Sequence, residues 1–224
     1  MTSNRDRPFN PGRPSNPGCH GEEAYQIHQQ FLTIAPTLST TLTRVLNHNG
    51  PLTLVPDQTT PFPQRLCRTI AGQQLSVKAA QSIWNRVLIH VGNQPLIDYF
   101  AKTEANTLRS CGLSGAKAKA IIGIAQMAQT GQLDQTELMP LHASQRSDRL
   151  TQLWGVGQWT ANMMNIFYFG EPDIWPNGDV TARKTLEKLT SKRRKTINTA
   201  ARFAPYRSYL AFHMWRYVDA GPAL

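Results

Sequence analysis

The chain has 224 residues, with 24 Lys and Arg against 14 Asp and Glu and a formal net charge of +10. That length supports one sizeable core or two small ones, and the positive balance points to a polyanionic partner. Cys19, Cys67 and Cys111 lack any C-x-x-C spacing, which argues against a disulfide framework, a zinc site or an iron–sulfur cluster and for a reducing, cytosolic compartment.

The opening MTSNRDRPFNPGRPSNPG is polar and rich in Pro and Gly, without the apolar stretch of a signal peptide. No run approaches the ~18 apolar residues of a membrane span. Residues 1 to 21 therefore read as a disordered tail, with Arg5, Arg7 and Arg13 free to brush a polyanion. The histidines form no H-x-x-x-H pair, so neither a metal centre nor a cofactor is expected.

From Glu22 the apolar residues recur at helical spacing: Tyr25, Ile27, Phe31 and Leu32, then Leu38, Leu42, Val45 and Leu46, with Pro36 dividing two short helices. Pro51 to Pro63 reads as a linker. Arg65 to Gly92 predicts two helices flanking a polar turn at Gly72, Gln73 and Gln74, the second capped by Ser76. Thr103 is expected to cap a short helix ending near Gly112, and Ser114 a longer one closed by Gly131. Ser147–Leu153 and Gln158–Phe169 predict helices on either side of Gly155-Val156-Gly157, the second stopped by Gly170. Val180–Leu189, the basic run Ser191–Lys195 and a last helix over Tyr206–Val218 complete the chain. Since no period-two alternation exceeds four residues, the expected class is all-α.

The span Leu153 to Asp179 carries the most chemistry. A Gly-Val-Gly turn before a helix leaves backbone N–H groups free to meet a phosphate oxygen, where the helix dipole favours negative charge. Read locally, the turn is either an ordinary helix–helix connection with glycines or a hairpin that grips duplex DNA through its phosphates without reading sequence. The carbonyls of Thr151, Leu153 and Val156 could hold a monovalent cation. Trp159 adds a flat face and Asp179 a carboxylate; read locally, Asp179 is also the N-cap of the helix from Val180, and the two roles are compatible.

LWGVGQWTANM followed by DIWPNGDVTARK resembles the helix-hairpin-helix DNA glycosylases with a Gly/Pro-rich loop and catalytic aspartate, in particular their 3-methyladenine DNA glycosylase II branch. RTIAGQQLSVKAA, LRSCGLSGAKAKAI and APYRSYLAFHMW extend the likeness over about residues 60 to 224. The resemblance implies two helical lobes with a catalytic cleft between them: one lobe from 22–60 and 179–224, the other, with the hairpin, from 61–178. It implies a compact form without the additional N-terminal β-domain of some relatives. Asp179 becomes the catalytic residue, Trp159, Met163 and Trp215 the pocket, and Gln74, Thr151, Leu153, Gly155, Val156 and Gly157 the DNA contacts. Gln74 takes the wedge position, where some relatives carry leucine.

The implied activity is hydrolysis of the N-glycosidic bond of alkylated purines in double-stranded DNA after base flipping. Where strand-cutting branches have a nucleophilic lysine this chain has Trp159, so it is expected to be monofunctional. The alternatives are a non-catalytic module that holds damaged DNA, and a glycosylase for another lesion class. A monomer is expected, without membrane association, acting in the bacterial cytoplasm or, in a eukaryote, the nucleus. Trp154 replaces the usual proline before Gly155, and Gln158 a frequent arginine. Ser191–Lys195, Lys184, Lys188, Arg202 and Arg207 are the expected phosphate neutralisers.

Overall fold

A computed structural model describes residues 21–221, which contain thirteen α-helices and no strand. The expected tail, with its three arginines, lies outside the described residues except for Gly21. In chain order the helices are α1 Gly21–Ile34, α2 Thr40–Asn49, α3 Phe62–Gly72, α4 Val77–Val91, α5 Leu96–Lys102, α6 Ala105–Ser110 and α7 Gly115–Gln129. They continue as α8 Gln135–Leu138, α9 Ala143–Thr151, α10 Gln158–Phe167, α11 Val180–Leu189, α12 Thr196–Ala201 and α13 Arg207–Asp219. Pro36 sits in a 3-10 turn, Ala35–Thr37, between α1 and α2. No described helix is long and apolar enough to cross a membrane.

Two compact units divide the chain, one over Asp57–Met164 and the other joining 21–56 to 165–221. In the first unit α7 is the packing centre, lying against α3, α5 and α6. Its buried face is Ala118, Ile121, Ile124 and Ala125, the three-to-four spacing that turns one stripe inward. Ser76 and Ser114 cap α4 and α7 as the sequence predicts, accepting the N–H of Ala79 and of Lys117 at 3.3 Å each.

Several boundaries differ from the sequence reading. The expected linker ends at Pro61, because Phe62, buried to 1 % exposure, already begins α3. Thr103 closes a helix instead of opening one: its N–H bonds Tyr99 O at 2.9 Å to end α5, a helix the sequence did not announce. α9 starts at Ala143, four residues early, where the His142 N–H donates to Gln145 Oε1 at 3.0 Å.

In the second unit α13 packs against α2, α11 and α12. Every residue from Ser208 to Trp215 is buried, so this helix is apolar around most of its circumference and serves as the unit's axis. Residues 165–178, expected with the hairpin lobe, group with the terminal helices. The cause is local: Ser208 Oγ donates to Glu171 O at 2.7 Å and accepts the Ile174 N–H at 3.0 Å. Gly170, at φ +74°, lies so close to Pro56 that a Cβ would come within 2.6 Å of Cγ of that ring.

His213 is enclosed in this axis. Asn49 Nδ2 donates to its Nδ1 at 3.3 Å and to its carbonyl at 3.1 Å, and the His28 ring stacks 6.0 Å away. Burial pulls the His213 pKa down to about 3, with His28 and Arg216 adding repulsion, and burial lowers that of His28 as well. Unfolded imidazoles titrate near 6.5. The native state thus holds fewer protons than the unfolded state between those values. The His213 contribution is full above about pH 6.5 and falls as acid is added, by up to ~1.4 kcal/mol per pH unit, and the lowered His28 acts in the same direction. Urea midpoints measured from about pH 7 down to 5 should fall in the wild type and fall less steeply in His213→Gln. An equal slope in both would exclude His213 as the source.

Candidate active site

The hairpin is built by α9, the turn 152–157 and α10. The Val156 N–H bonds Leu153 O at 3.0 Å, which closes the turn, and the Val156 side chain, 4 % exposed, anchors it inward. Gly155 adopts φ +83° with its missing Cβ aimed at Ala120 of α7, so the turn lies flush on that helix. Gly155, Gly157 and Gln158 are exposed, as an anion-meeting helix start requires. Thr151 is exposed, its hydroxyl bonding Ser147 O at 2.9 Å, while Leu153 is half-buried and one lone pair of its carbonyl is engaged by the turn. Trp154, 54 % exposed, has Lys119 Nζ 4.6 Å above its ring.

Further along α10, Trp159 is half-buried and Met163, one turn on, is buried. Gln74 is exposed in the α3–α4 turn, at φ +57°. All of these belong to the Asp57–Met164 unit.

The other unit holds Asp179 and Trp215, and it brings them together. Asp179 is the N-cap of α11, its Oδ1 accepting the Ala182 N–H at 2.8 Å. The same oxygen accepts the Trp215 indole N–H at 3.0 Å. Trp215, expected from the sequence as a pocket wall, thus orients the carboxylate. Its ring packs against Phe167 (centroids 5.6 Å apart) and edge-on against Phe212 (5.7 Å). The sequence reading missed both phenylalanines, although Phe212 and Trp215 stand three apart on α13, the spacing that puts side chains on one helix face.

The loop before Asp179 is fixed at several points. The Arg207 guanidinium grips Asp173 in a two-pronged pair, Nε to Oδ1 at 2.6 Å and Nη2 to Oδ2 at 2.9 Å. That pair holds the Asp173 carboxyl below its ordinary pKa and raises that of Arg207. Arg207 is thus a loop anchor where the sequence suggested a phosphate contact. Thr196 Oγ1 donates to Asn177 Oδ1 at 3.2 Å, and the Asp179 N–H bonds Pro176 O at 2.7 Å. The basic run Lys192–Lys195 is exposed. Among the described residues, no group of three or more His, Cys, Asp and Glu could hold a metal ion.

Residues 67–204 match the family of HhH-GPD superfamily base excision DNA repair proteins. DNA-3-methyladenine glycosylase 1 of Schizosaccharomyces pombe is 29 % identical over 162 residues, 68 % of this chain and 71 % of that protein. A crystal structure of DNA-3-methyladenine glycosidase from Bacillus halodurans superposes with a TM-score of 0.66 at 28 % identity, covering 87 % of this chain and 89 % of that one. The S. pombe 3-methyladenine DNA glycosylase in complex with abasic DNA shares the fold, with a TM-score of 0.72 at 24 % identity over 85 % of this chain and 95 % of that one. The matched span takes in the α3–α4 turn, the hairpin and Asp179 together, and the chain belongs to the HhH-GPD superfamily of base excision DNA repair proteins.

Proposed function

We propose that this chain is a monofunctional DNA glycosylase that removes alkylated purines, such as 3-methyladenine and 7-methylguanine, from double-stranded DNA. The observation that carries the reading is the half-buried Asp179 carboxylate, held by the Trp215 indole and the start of α11. The relatives named above as 3-methyladenine glycosylases support the choice of lesion.

Alkylation at N3 or N7 gives the purine a positive charge, so it departs as a neutral base carrying the electron pair of the C1′–N bond. Positive charge then develops on the sugar, and a fixed carboxylate beside it lowers the barrier electrostatically. Water adds to C1′ and gives up its proton, with Asp179 assigned as acceptor, leaving an abasic site. Trp159 and Met163 on α10, and Trp215 on α13, are assigned apolar faces for the extruded base; stacking and cation–π attraction favour a charged purine there. Gly155, Val156 and Gly157, with Thr151 and Leu153, are assigned to the phosphate backbone, and Gln74 to the gap left in the duplex.

The protein should release alkylated bases from methylated duplex DNA, detectable by chromatography, and the strand should break only after alkali. Breakage without alkali would require an amine nucleophile, which residue 159 does not provide. Binding without release of any base would favour the non-catalytic module.

A further inference from the structure

Gln74 stands alone among the described non-glycine residues in adopting a positive φ, +57°. A side-chain-bearing residue keeps that conformation only where its surroundings impose it, and such strain collects at functional positions. Here the surroundings are specific. Lys117, in the first turn of α7, directs Nζ onto the carbonyls of Ala71 at 3.1 Å and Gln73 at 2.6 Å. These lie at the C-terminus of α3, where carbonyls lack intrahelical partners and the helix dipole attracts a cation. From the other side, the Gln73 amide donates to Gly155 O at 3.1 Å and to Thr160 Oγ1 at 2.7 Å. Residue 73 is therefore clamped by its backbone to α7 and by its side chain to the hairpin, one position before the strained Gln74.

We infer that Lys117 and Gln73 are positioning residues that latch the α3–α4 turn to the hairpin, so that gripping the strand and inserting Gln74 into the duplex occur as one rigid event. The inference rests on the proposed glycosylase activity and on Gln74 as the wedge. A wedge that enters a base stack must be rigid before contact, because a mobile side chain loses in ordering what it gains in stacking. Neither latch residue touches the reacting atoms, so their effect falls on base extrusion and not on the bond-breaking step.

Lys117→Met keeps the aliphatic stem and removes the donors. With an alkylated purine in a duplex beside 2-aminopurine, whose fluorescence rises on unstacking, this variant should lose roughly 10- to 100-fold in excision, in line with the cost of a misplaced positioning group. The fluorescence rise should shrink in parallel. The same lesion in an unpaired bulge, already partly extruded, should be cut with a much smaller loss. Lys117→Arg should restore most duplex activity, and Gln73→Leu should repeat the Lys117→Met pattern. Wild-type fluorescence and duplex excision in both Lys117→Met and Gln73→Leu would overturn the inference, as would equal losses on duplex and bulge without rescue by arginine. Failure of the glycosylase reading is distinguishable, since the wild type itself would then release no base from either the duplex or the bulge.

Discussion

Asp179→Asn should lower base excision by roughly two to three orders of magnitude while leaving duplex binding and the fold in place. The site makes this substitution unusually selective. Oδ1 of Asp179 accepts two N–H groups, from Ala182 at 2.8 Å and Trp215 at 3.0 Å, and an amide oxygen in the same place accepts both. Asparagine caps a helix about as well as aspartate, so α11 keeps its start and the unfolding midpoint barely moves. What disappears is the negative charge proposed to steady the sugar cation and the basic oxygen proposed to take a proton from water. Asp179→Ala would confuse the issue, because it also removes the cap, at a cost of about 1 kcal/mol. Single-turnover excision on methylated duplex, paired with urea unfolding of the same sample, measures both quantities. Near-wild-type excision by the asparagine variant would end the catalytic assignment; a large loss of stability alongside lost activity would reduce Asp179 to a structural cap.

Gly155→Ala should give the largest change in the hairpin, through two causes that add. The residue sits at φ +83°, where an L side chain costs roughly 1–2 kcal/mol. The new methyl group would also lie 2.6 Å from Ala120 Cβ, which forces the turn off α7 at a further cost of about 1–3 kcal/mol. Gly157, two residues on, is the internal control: its φ is not positive, and a Cβ there meets nothing within 4 Å. The expected outcome is a marked fall in the urea midpoint and in affinity for undamaged duplex for Gly155→Ala, against a small stability change for Gly157→Ala. Equal midpoints for the two variants would mean that the turn relaxes freely and that its left-handed geometry is not required.

The difference between these two glycines is invisible in the string Gly-Val-Gly, and it marks where sequence reasoning stops. Helical spacing located most of the longer helices, and capping chemistry placed Ser76, Ser114 and Asp179 at helix starts that the structure confirms. Those signals act within a few residues of the chain, so they survive without knowledge of the fold. Short elements escaped for the same reason: α5, Leu96–Lys102, spans too few residues to display a period, and the fully buried Phe100 ties it to the core.

What composition, periodicity and motif order determined was an all-helical, basic chain with a glycine hairpin and a carboxylate at the start of a later helix, because each of these is written in neighbouring residues. The tertiary structure alone decided that the Trp215 indole orients Asp179 across 36 positions of chain and that Arg207 is committed to Asp173 across 34. It also decided that Lys117 and Gln73 hold the turn at Gln74. Each of those contacts joins groups whose closeness depends on how distant helices pack, and packing leaves no periodic trace in the sequence.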